Sequence, residues 1–199
     1  MLNEKVAALC NEQINKEFYS AYLYLDIANY YADQGLDGFA NWYTIQAQEE
    51  RDHAMLFLQY LQNNGEKVTL EAIAKPDKEF PNHRAALAVG FEHEQYVTSL
   101  INNIYAAAHE ARDYRTMQFL DWFVKEQGEE EKNADDMLKK YDLYGSDPKG
   151  LYSLNSELPR ASTARPLWCC KTSKTKKRAQ PRSADRCRAR FFCGKISAV

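Results

Sequence analysis

Six side chains in this 199-residue sequence are spaced as metal ligands are. Glu17 precedes Glu50 by 33 residues, and Glu50 is followed three residues on by His53. Glu94 precedes Gln127 by the same 33 residues, and Gln127 is followed three residues on by Glu130. Positions i and i+3 share one face of a helix, so each pair can grip a single ion. Two such halves stacked about a pseudo-twofold axis aim all six side chains at one level. The bland alternative is a set of solvated acids, which is what helical acids usually are. Against it, Glu17 shares an apolar stripe with Ile14, Ala21 and Tyr24. Glu94 sits on the stripe of Leu87, Phe91 and Ile101, and Glu130 on that of Phe123 and Ala134. Acids on apolar stripes are costly unless paired or metal-bound. Four carboxylates there would be neutralised by two divalent cations.

The elements that must position these groups are long helices. Apolar residues recur at helical spacing over 4–33, from about Asp37 to Asn64, over 83–111, and from Asp113 to Tyr144. Gly35 is placed to end the first helix and Asp37 to cap the second. Asp147-Pro148 opens a short fifth helix that Pro159 closes. Links of two to four residues make helices one and two antiparallel, and likewise three and four. Residues 66–82 form the one long link. Seventeen extended residues reach about 55 Å, and a 30-residue helix spans about 45 Å. The link can therefore run the length of a bundle and set helices two and three parallel. The predicted fold is all-α: a four-helix bundle with one long crossover between helices two and three and a short fifth helix.

Composition excludes several classes. No apolar run approaches the roughly 20 residues of a membrane span, and the first residues are neither a basic leader nor a long apolar stretch. The cytoplasm is the expected compartment. The net charge of −2 hides a split at Pro159. Twelve Lys/Arg and one acid follow it, so the segment 159–199 carries about +11 and residues 1–158 about −13. Four of the five cysteines also lie beyond Pro159, leaving only Cys10 in the body. A one-cysteine body is not built on disulfides. The sequence divides into a domain that carries the six ligand-type residues, 1–158, and a basic, cysteine-containing tail, 159–199.

Glu17, Glu50-x-x-His53, Glu94 and Gln127-x-x-Glu130 resemble the ferroxidase centre of non-haem bacterial ferritins. The resemblance covers residues 1–158, including Gly38-Phe39-Ala40-Asn41-Trp42 and Gly150-Leu151-Tyr152. It implies that Glu17, Glu50 and His53 hold one iron, with Glu50 bridging. Glu94 and Glu130 would hold a second, with Gln127 as a weak ligand or hydrogen-bond partner. Glu49, Glu126 and Glu129, sharing Glu130, resemble a third iron site, and Tyr24 the tyrosine kept near the iron pair. The implied function is iron storage with ferroxidase activity. Fe(II) would be oxidised by O2 or H2O2 and stored as ferric mineral in a homo-oligomeric shell of twenty-four subunits, without haem or a membrane. One histidine instead of two, and Gln127 in place of a glutamate, weaken the second site, which suits a store that passes its product on.

Rival readings fit less well. A haem-binding bacterioferritin would carry methionine where Arg51 stands and histidine where Glu130 stands. A mini-ferritin sites its iron between subunits, and a di-iron oxygenase uses two Glu-x-x-His pairs. DNA binding or protection through the basic tail is a reading from a different class, resting on phosphate neutralisation by runs such as Lys171 to Arg178. An aberrant extension explains the tail's abrupt change of composition better. His83, His93 and His109 lack the motif position and are expected at the surface or at helix ends.

Overall fold

The computed structural model describes residues 2–158; Met1 and the segment 159–199 lie outside them, and with them the expectations placed on the tail. Five helices follow in order: α1 Glu4–Asp33, α2 Asp37–Asn63, α3 His83–Glu110, α4 Tyr114–Tyr144 and α5 Pro148–Glu157. α1 packs on α2 and α3 on α4, the two hairpins meet through α1 and α3, and α5 closes one end against α2 and α4. This is the single-crossover bundle, and none of its helices is long and apolar enough to cross a membrane among the described residues.

Local chemistry explains most of the boundaries. Asn3 caps α1 by accepting from the Lys5 and Val6 amides, and Asn82 caps α3 from Ala85. Asp113 caps α4 from Thr116 and Asp147 caps α5 from Gly150. Gly35 and Gly65 take the left-handed conformation that ends α1 and α2, with φ of 71° and 76°. One cap differs from expectation. Asp37 is the first residue of α2, not its cap, and Leu36 before it has no side chain to offer. The missing acceptor comes instead from α5: Asn155 Oδ1 accepts from the Gly38 amide at 2.8 Å and the Phe39 amide at 3.3 Å. A β-carbon on residue 38 would lie 1.8 Å from the Asn155 carbonyl oxygen, so only glycine permits this approach.

The crossover is pinned to α1. Asn11 exchanges two hydrogen bonds with the Thr69 backbone, at 2.8 and 2.9 Å, and Asn15 donates to the Ala72 carbonyl at 3.0 Å.

The core is two clusters, not one. The first joins Val6, Cys10 and Ile14 of α1 to Phe57 and Leu61 of α2, Ile101 and Ile104 of α3, and Leu120 and Phe123 of α4. The second joins Leu23, Ile27 and Tyr31 to Phe39, Tyr43, Leu87, Met137 and Leu154. On every long helix the stretch between the clusters holds the acids and amides of the sequence pattern. A polar belt therefore crosses the bundle at mid-height.

Candidate metal centre

The belt carries Glu17, Glu50, His53, Glu94, Gln127 and Glu130, each at most 3% exposed. That burial removes the reading of solvated surface acids. Desolvation is expensive for a carboxylate, and the protein shows the strain of it. Burial and the neighbouring Glu50 carboxylate push the Glu17 proton affinity far up. Burial, with Glu94 and Glu130 nearby, does the same to Glu50. Glu94 is raised chiefly by burial, against the opposing hydrogen bonds of Tyr24 and Gln127. Glu130 is pushed up to about 7 by burial, Glu94 and Glu49.

Ligand atoms of Glu17, Glu50 and His53 all lie within 4.8 Å of one another, the one group of three or more potential metal ligands among the described residues. His53 Nδ1 faces Glu50 Oε1 at 3.7 Å, beyond hydrogen-bond reach. Among the described residues three buried side-chain atoms are left without a hydrogen-bond partner: Glu17 Oε2, Glu50 Oε2 and His53 Nδ1. They belong to the same three residues. Folded proteins seldom leave buried acceptors unsatisfied. Two carboxylates and an imidazole converging in a buried pocket are a donor set that can hold a divalent metal ion.

The other half of the belt is held by hydrogen bonds. Tyr24 donates its hydroxyl to Glu94 Oε1. Gln127 Nε2 reaches Glu94 Oε2 at 3.2 Å and Thr98 Oγ1 at 3.4 Å. Gln46 Nε2 donates to Glu130 Oε2 at 2.8 Å, and Gln13 Nε2 to Glu17 Oε1 at 2.9 Å. These amides hold single carboxylate oxygens at fixed angles and leave the second oxygen of Glu17 free to ligate. The sequence reading missed Gln13 and Gln46, although a signal existed. They too stand 33 residues apart, each four residues before an acid of the belt.

The half-buried Glu49, Glu126 and Glu129 lie on α2 and α4 beside the belt, outside the close group. Glu49 is near enough to raise Glu130, and Glu129 faces Lys125 at 3.9 Å. His93 departs from expectation. It is neither at the surface nor at a helix end, because its ring packs edge-on against Tyr24 and its Nε2 meets Ser20 Oγ at 2.8 Å. Burial, then Lys78, lowers His93 to about 4, which keeps it neutral. His83 does open α3, and His109 lies in its last turn.

The ferritin-like domain family matches residues 7–144 of this chain. The chain belongs to the ferritin family. Among curated relatives of this ferritin, a probable bacterial non-heme ferritin-like protein of Haemophilus influenzae is 37% identical over 82% of this chain and 99% of its own length. A bacterial non-heme ferritin of Campylobacter jejuni is 34% identical over 83% of this chain and 99% of its own. Among solved structures, a closed form of the Archaeoglobus fulgidus ferritin engineered by mutagenesis superposes with a TM-score of 0.79 at 40% identity. It covers 81% of this chain and 99% of that one. The open-pore ferritin of the same archaeon superposes at 0.77 with 41% identity, over 79% and 98%. The ferritin reading of the sequence holds, and with it iron binding, iron storage and iron oxidation in their general form.

Proposed function

We propose that this ferritin oxidises Fe(II) to Fe(III) at an intrachain di-iron centre and deposits the product as mineral inside a homo-oligomeric shell of twenty-four subunits. The observation that carries the proposal is the coincidence of three orphaned buried atoms with the one close group of metal ligands, Glu17, Glu50 and His53. Glu17, Glu50 and His53 receive the first ferrous ion and Glu94 and Glu130 the second. Glu50 is shared, since its carboxyl feels both Glu94 and Glu130. Gln127 orients Glu94 and is at most a weak ligand. Tyr24 fixes the other Glu94 oxygen. Glu49, Glu126 and Glu129 form a third, more exposed site through which ferric iron leaves.

The chemistry follows from charge. In the metal-free protein, burial favours protonated carboxyls. Two divalent ions entering the belt displace those protons and restore four carboxylates, so binding releases acid. Hard oxygen ligands favour the ferric state. Two ferrous ions each lose one electron, and O2 takes both with two protons to give H2O2; H2O2 as oxidant takes two electrons and two protons to give water. The domain boundary we propose is residue 158, and the tail takes no part in this chemistry. The cytoplasm is the proposed compartment and haem is not required. A titration of ferrous iron into the assembled metal-free protein without oxygen tests the reading. It expects two tight equivalents per chain in the wild type and a loss of tight binding in Glu50→Ala. Equal binding by both proteins refutes the assignment.

A further inference from the structure

Tyr24 is the innermost of a line of aromatic rings that leads away from the carboxylate belt. Its hydroxyl donates to Glu94 Oε1 and its side chain is buried. The buried Tyr43 ring follows at 5.7 Å, and the Trp42 indole packs edge-on against Tyr43 at 4.8 Å. Trp42 is only partly buried, so the line runs from the interior to a ring that water reaches. Two side branches end differently. Tyr31 stacks on Tyr43 at 5.8 Å, but it is buried and its hydroxyl donates to the His83 carbonyl, which is too weak a base to take a proton. His93 meets Tyr24 at 5.7 Å and Tyr96 at 6.1 Å, yet an imidazole gives up an electron less readily than a phenol or an indole does. A phenol loses an electron easily only where its proton has somewhere to go, and Tyr24 has Glu94. An indole can lose the electron first and the proton afterwards, to water. Of the rings joined to Tyr24, Trp42 therefore combines easy oxidation with an outlet.

We propose that Trp42, acting across Tyr43 and Tyr24, supplies the electron that quenches the radical left when hydrogen peroxide meets a centre holding a single ferrous ion. This rests on the oxidation reading above. The ferrous ion gives one electron, the O–O bond breaks, and one proton from the medium completes the products: Fe(III), water and a hydroxyl radical. Tyr24 gives that radical an electron, leaving hydroxide, and its phenolic proton moves to Glu94. An electron from Trp42 then crosses the Tyr43 ring to Tyr24, which takes its proton back from Glu94. Trp42 releases its indole N–H proton to water, and that proton neutralises the hydroxide. The net change is a hydroxyl radical converted to water and an indolyl radical at the protein's edge. A one-electron reductant in solution, of the ascorbate kind, restores the indole. Tyr43 is a positioning residue here, since it keeps the rings in contact and is not itself oxidised.

Freeze-quenched electron paramagnetic resonance tests it, on protein given one ferrous ion per chain and mixed with H2O2 without O2. The wild type should show an indolyl radical that ascorbate removes. Trp42→Phe should lose the indolyl signal and accumulate a tyrosyl radical in its place. Tyr24→Phe should lose both. Tyr43→Phe keeps a ring between Tyr24 and Trp42 and should keep the indolyl signal, whereas Tyr43→Leu should lose most of it. Anaerobic ferrous binding and shell size, read alongside, should not change in the Trp42 and Tyr43 variants, so a lost signal is not a lost fold. An indolyl signal that survives Trp42→Phe puts the radical on another tryptophan, such as Trp122 against His53 at 5.5 Å, and overturns the proposal. A full signal in Tyr43→Leu overturns it too. A wild type that oxidises its iron with H2O2 but forms no protein radical sinks the relay alone. If the wild type oxidises no iron with H2O2 or O2, the oxidation reading fails and takes this one with it.

Discussion

Replacing Glu130 by Gln in the metal-free protein should make its stability less dependent on pH, by an amount the structure sets. Glu130 is 3% exposed, and burial with Glu94 and Glu49 nearby pushes it up to about 7. In the unfolded chain its carboxyl returns to the ordinary value near 4.5. Between those two values the folded protein holds a proton that the unfolded chain releases. Its contribution to stability is therefore full below about pH 4.5 and is lost as pH rises to about 7, after which the loss stays constant. A displacement of that size is worth about 3 kcal/mol. Glutamine keeps the shape and can still accept from Gln46 Nε2 through its carbonyl, but it carries no charge at any pH. Wild type and Glu130→Gln should then unfold at similar urea concentrations near pH 4.5. By pH 8 the variant should be more stable, with its midpoint higher by about 1 M for an m-value of about 2–3 kcal/mol/M. Ferrous iron, added without oxygen, should reverse the order, because it stabilises the protein that keeps the ligand. A constant gap between the two proteins from pH 4.5 to 8 would refute the reasoning, since it would mean that Glu130 does not titrate differently on folding.

Glu50→Ala should abolish rapid ferrous oxidation while leaving the metal-free fold at least as stable as the wild type at neutral pH, because it removes a buried carboxyl one of whose oxygens has no hydrogen-bond partner; stopped-flow absorbance and urea unfolding read the two effects. Glu129→Ala should spare the first rapid phase and alter only later turnovers, as repeated iron additions would show. Asn155→Ala should cost about 1 kcal/mol through the lost cap on α2, and hydrogen exchange should quicken at the Gly38 and Phe39 amides while the α1 amides near Glu17 are unchanged. A chain ending at residue 158 should keep the fold and the oxidation rate of the full chain, checked by circular dichroism and the same absorbance assay.

The helices were legible because their apolar residues keep the 3.6-residue period and their ends carry Gly35, Asp113 and Asp147-Pro148, whose preferences are local. The level of the polar belt was legible for the same reason: the 33-residue spacing is set by two helices of similar length and a short turn. The cap on α2 was not. It is made by Asn155, more than a hundred residues away, and only the fold brings them together. Gln13 and Gln46 were overlooked because an amide on an apolar stripe signals less than an acid does, although both share the acids' spacing. His93 was misplaced because its neighbours Tyr19 and Tyr24 belong to another helix, and periodicity along α3 says nothing of what lies opposite.

We propose that five carboxylate and imidazole side chains of one chain take two ferrous ions and oxidise them together. Aerobic addition of ferrous iron, in half-equivalent steps, to the assembled metal-free protein tests this, followed by the absorbance of ferric iron on the millisecond-to-second scale. A fast phase should grow in amplitude to two irons per chain and then saturate, with slower oxidation beyond it. The same experiment on His53→Ala should lose that phase. A fast phase saturating at one iron per chain, or no oxidation faster than in protein-free buffer, would contradict it.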